Sequence, residues 1–75
     1  MTVYNVNVVW DAESRVWFTK SDDIQGLNLE SGSFDALIER VKIAVPELME
    51  INHETAPAYN LNFISTRAEK VFANG

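Results

Sequence analysis

The chain has 75 residues, one histidine and no cysteine, which excludes a disulfide scaffold and a thiolate metal site and leaves room for one domain. Hydrophobic residues make up 47% and charged residues 23%, too apolar for a disordered chain. Eleven acids against six bases give a net charge of −5, which argues against a nucleic-acid binder and toward a basic partner, or toward charge kept for solubility.

The first segment, Thr2 to Trp10, alternates Tyr4, Val6, Val8 and Trp10 with Val3, Asn5, Asn7 and Val9. Period-two patterning in residues with strong β preference predicts a strand whose even positions are buried. Asp11-Ala12-Glu13-Ser14 reads as a hairpin turn without an Asn-Gly signal, and Val16 to Lys20 as the second strand. Ser21 to Gly26 is the next break, where Asp side chains can fold back on the backbone and Gly26 can take positive φ. Leu27-Asn28-Leu29-Glu30 alternates again as a short third strand, closed by Ser31-Gly32-Ser33.

Ser33 is a good helix N-cap, with Asp35 in the first turn against the positive end of the dipole. Phe34, Leu37, Ile38, Val41, Val45 and Leu48 follow at helical spacing as one apolar stripe, with Asp35, Glu39 and Lys42 on the other side. Pro46 removes a helical hydrogen bond, so a kink is expected there, or a second helical piece over Pro46 to Glu50. Asn52 to Ala58 is a loop, and Tyr59 to Ile64 alternates as the fourth strand. In the tail, Ser65 to Gly75, Val71-Phe72-Ala73 either adds a short strand or docks on a neighbouring subunit.

The order β-β-β-α-β predicts a single α+β domain over 1–75. It forms a two-layer sandwich whose helical crossover brings the last strand parallel to the first. A domain this small buries only roughly 60–65% of its unfolded surface, so its stability margin is thin. Without disulfide or metal, oligomerisation or a tight partner is the remaining remedy, and a homo-oligomer, a dimer or higher, is expected. No apolar run exceeds three residues, which is far short of a membrane span. Met1 leads straight into a strand-like pattern rather than a signal peptide, so a cytoplasmic location is expected.

Asn7-Val8-Val9-Trp10-Asp11, Val16-Trp17, Ser21-Asp22-Asp23-Ile24-Gln25-Gly26-Leu27 and Ala44-Val45-Pro46-Glu47-Leu48-Met49-Glu50 are similar, in order and spacing, to the short HicB-like antitoxin domains. They are most similar to the compact subfamily long catalogued as a domain of unknown function. The resemblance covers the chain to about Ile64. It implies a partial ribonuclease-H-like sheet with one helix, and an antitoxin that blocks a small basic mRNA-cleaving toxin by covering its active surface. Gln25 stands where that family usually has proline, and Asp35 stands alone where an acidic pair is common. With eleven residues after Ile64, the DNA-binding module that many members carry is not expected here.

A ribonuclease-H-like outline invites a nuclease, but such enzymes converge several carboxylates on two metal ions. The first strand carries no acid, and the first one, Asp11, lies in the turn beyond it. His53 has no partnered nucleophile, and Gly26 and Gly32 do not make a phosphate loop. The expectation is a non-enzymatic binding domain with no cofactor and no metal. Asp22-Asp23 is the densest acidic point. It is either a solvated turn capping backbone groups or, with Asp11, Glu13 and Glu30, a contact for a basic toxin. Trp17 joins the candidate contacts. Val16 and Phe18 point opposite to it, so one of those two faces turns away from the helix, and an exposed aromatic face usually marks an interface. The alternative is a stand-alone oligomeric scaffold or ligand-sensing domain without a toxin.

Overall fold

The computed structural model describes residues 2–74; Met1 and Gly75, the ends of the expected 1–75 domain, lie outside the described residues. Four strands and one helix follow the expected order: β1 Val3–Asp11, β2 Val16–Lys20, β3 Glu30–Ser31, α1 Phe34–Ile51 and β4 Asn60–Thr66. The sheet order is β3-β2-β1-β4. The first three strands are antiparallel neighbours, and β4 lies parallel to β1, from Val3 opposite Asn60 to Val9 opposite Thr66. A parallel neighbour needs a crossover connection, and α1 supplies it.

The even positions of β1 face the helix, with Val6 and Val8 at 0% exposure. They pack with Leu37, Val41, Val45 and Met49 from α1. Leu61 and Phe63 of β4, which stand opposite Tyr4 and Val6, complete that side. Ser33 caps the helix as expected, its Oγ accepting from the Ala36 N–H at 3.2 Å. The far end closes in a Schellman arrangement, in which the Glu54 N–H donates to the Met49 carbonyl and the His53 N–H to the Glu50 carbonyl. His53 takes the left-handed conformation there, at φ 58°, in the place glycine most often fills.

Four local expectations change, the first being that β1 takes in Asp11, expected in the turn, where it pairs with Val16. The helix is not broken at Pro46; it runs unbroken from Phe34 to Ile51. Val45 and Met49 on either side are buried, while Pro46 and Lys42 are exposed. The carbonyl that loses its donor therefore belongs to a solvent-facing turn, and packing outweighs the missing bond. The third strand is shorter and later than Leu27–Glu30, because Ile24 and Leu27 turn inward to the core instead of alternating. The Thr19 hydroxyl holds the gap, accepting from the Leu29 N–H at 3.0 Å while the Thr19 N–H donates to the Leu29 carbonyl at 2.9 Å. The fourth strand extends two residues past Ile64, and the tail from Arg67 to Asn74 forms no helix or strand.

Candidate functional site

The sheet has two faces, and the helix covers one of them. On the other stand the odd positions of β1 with Val16, Phe18 and Lys20 of β2 and Asn62, Ile64 and Thr66 of β4. Cross-strand register sorts them into rows. Asn62 lies beside Asn5, its Nδ2 donating a hydrogen bond of 3.1 Å to the Asn5 Oδ1. Ile64, Asn7 and Lys20 make the next row, then Thr66, Val9, Phe18 and Glu30, then Asp11 and Val16. Val9, Val16 and Phe18 are half-buried against one another and outside the core, forming an apolar band with Asp11 and Glu30 at its margin.

The six candidate contacts do not form one cluster. Asp11 and Glu30 flank the apolar band. Asp11 also shapes the hairpin, its Oδ1 accepting from the N–H groups of Glu13 and Ser14 at 3.1 and 3.3 Å. Arg15 then takes a left-handed φ of 56°, which closes the turn without the Asn-Gly pair. Glu13 is exposed at the tip of that turn.

Asp22 and Asp23 sit at the opposite end of β2, and Asp23 has a structural task. Its Oδ2 accepts from the Asn5 N–H at 2.7 Å, while Ser21 Oγ donates to the Asn5 carbonyl at 2.7 Å. Register would place Asp22 opposite Asn5, but β2 ends at Lys20. The two flanking side chains thus complete the ladder where the strand stops, and Ser21 Oγ also accepts from the Asp23 and Ile24 N–H groups. Asp22 makes no such bond and is exposed.

Trp17 is on the helix side. Its ring lies 5.2 Å from Trp10 and 5.0 Å from Phe34 between centroids. Arg67 lies 4.1 Å over the Trp10 ring and 5.8 Å from Trp17, and pairs with Glu69 at 2.7 Å. The residues that face away from the helix are therefore Val16 and Phe18. The signal for Phe18 is its parity with Val9, both odd-register partners on one face.

Two clefts border this framework. One, of about 480 Å³, lies between the second half of α1 and the segment entering β4, lined by Val45, Pro46, Glu50, Ala56, Tyr59 and Leu61 among others. The other, of about 430 Å³, lies at the hairpin under Trp10, Arg15 and Arg67. Among the described residues, no group of three His, Asp or Glu is placed to hold a metal ion, and no helix is long and apolar enough to cross a membrane.

No curated protein matches the sequence. Among solved structures, it is similar to a hypothetical protein of the extremely thermophilic bacterium Thermus thermophilus. The two are 31% identical, with 93% of this chain and 100% of that chain covered and a TM-score of 0.80. Residues 3–73 match a family described as a domain of unknown function, DUF1902, and the chain belongs to that family.

Proposed function

We propose that this domain is a non-catalytic, antitoxin-like binding module of HicB-like, partial ribonuclease-H-like fold, which neutralises a small basic mRNA-cleaving protein by covering its active surface. The observation that supports this is the open sheet face. Val9, Val16 and Phe18 make an apolar band on the two central strands at the hairpin end, with Asp11 and Glu30 at its margin and Glu13 at the adjoining turn. An apolar centre with a charged rim is the usual anatomy of an interface. With a net charge of −5, the rim steers a basic partner and speeds its encounter.

The test is co-expression with the protein encoded beside it, followed by pull-down and a growth assay. The expected result is a neighbour that arrests growth alone and is bound and silenced by this chain. Glu13→Gln with Glu30→Gln should then slow association several-fold at low salt and little at high salt. A harmless or unbound neighbour removes the antitoxin reading. The second reading, a stand-alone oligomeric scaffold, is favoured by the free edge of β4 and the exposed Val71 and Phe72.

A further inference from the structure

The sheet ends in two unlike edges. β3 is two residues long, too short to template another strand. β4 is seven residues long, is paired among the described residues only with β1, and reads Asn-Leu-Asn-Phe-Ile-Ser-Thr. It carries no charge, no proline and no bulge, the devices that keep an exposed edge from pairing. Directly after it the tail holds Val71 and Phe72 out in solvent, at 87% and 69% exposure.

The amount of surface is also out of proportion. A compact chain of 8.5 kDa exposes roughly 4,700 Å² by the usual scaling, whereas this one exposes 5613 Å². Its longest extent is 54 Å against 22 and 18 Å across. The excess of roughly 900 Å² is close to the ~800 Å² that each partner of a standard interface buries.

We infer that β4 and the tail form a two-fold interface with a second copy of this chain, the β4 strands pairing antiparallel across the axis and each tail docking in the other copy's cleft. The direction follows from the topology. In an antiparallel pair centred near Phe63, Thr66 stands beside Asn60 of the second copy, and the tail continues beside residues 54–59. That segment walls the cleft of about 480 Å³, whose apolar lining includes Val45, Pro46, Tyr59 and Leu61. Val71 and Phe72 are the apolar side chains that arrive there. Charge matches as well: Lys70 reaches a cleft bordered by Glu50. A two-fold contact of this kind closes on itself, so the edge is consumed and no fibre grows. The apolar band around Phe18 is on the sheet face, not its edge, and stays free in the pair.

Light scattering on the whole chain at micromolar concentration tests this. The expected mass is that of two chains. Val71→Asp with Phe72→Asp should bring it to one chain with an unchanged far-UV spectrum, since both side chains are exposed and outside the core. Because the chain has no cysteine, Val71→Cys chains mixed with Thr55→Cys chains, the position the register sets opposite Val71, should cross-link on mild oxidation into a mixed disulfide dimer. A one-chain mass for the unmodified protein, or a dimer that survives the Val71→Asp and Phe72→Asp changes, overturns the inference. So does the absence of the mixed cross-link. None of these readouts involves a toxin, so they fail or succeed apart from the antitoxin reading.

Discussion

The same strands build both faces of this sheet, yet the faces differ in kind. Toward the helix, Val6 and Val8 are fully enclosed and Thr19, the buried polar residue there, has its hydroxyl bonded to Leu29. Away from it, Val9, Val16 and Phe18 shield one another only in part, and polar neighbours such as Asn5, Asn7 and Lys20 stand among them. One residue of register separates the two environments. The helix face holds the buried core, while the open face leaves Val9, Val16 and Phe18 only partly covered.

The sharpest way to expose that division is to open a hole on the enclosed side. Leu37 is completely buried between α1 and the sheet. Leu37→Ala should cost roughly 3 kcal/mol, lowering the melting midpoint by about 15 °C, as read by thermal and urea unfolding. In a domain with this thin a margin, that is a large part of the total stability.

How much of this division is legible in the sequence depends on whether a residue belongs to a run. Tyr4, Val6, Val8 and Trp10 declare their face by alternation, and Leu37, Val41 and Val45 by helical spacing, so the order, the crossover and most of the core follow from pattern alone. Ile24 does not. It is a single isoleucine in an acidic bend, with no period to reveal that it is 1% exposed. Met49 escapes for a related reason: Pro46 suggests a break just before it, whereas burial of Val45 and Met49 carries the helix through. Among the candidate contacts, geometry decides between readings that residue type leaves open. Asp23 is acidic and near the surface, but its carboxylate finishes the β1 ladder at Asn5. Trp17 is the larger aromatic, but Phe18 has the outward parity.

Adjacent residues on β2 give a matched pair. Trp17→Ala removes the ring packed between Trp10 and Phe34 and part of the cover beneath Arg67. Because Trp17 is half-buried, the expected loss is about 2 kcal/mol in urea unfolding, below the range for a fully enclosed aromatic. The folded fraction should bind a partner of the open face as the unmodified chain does. A change in that affinity would place Trp17 in the contact and blur the distinction between the two sides.

Phe18→Thr is the smaller change in stability and the more telling one. Threonine keeps a strong β preference, so the strand itself is not weakened, and the loss is confined to the cross-strand pairing with Val9 and the neighbouring Val16. Such pairs contribute at most about 1 kcal/mol, and unfolding should shift by no more than that. Binding should respond far more strongly, because an aromatic side chain at the centre of an apolar band is the kind of residue that carries interface energy, while its charged rim mainly sets the encounter rate. Titration of the co-expressed partner by calorimetry should show at least a tenfold weaker complex. If the affinity is unchanged while Trp17→Ala abolishes it, the recognition surface is on the helix side, at the Trp10 and Arg67 end of the molecule, and the open face is only a solvated back.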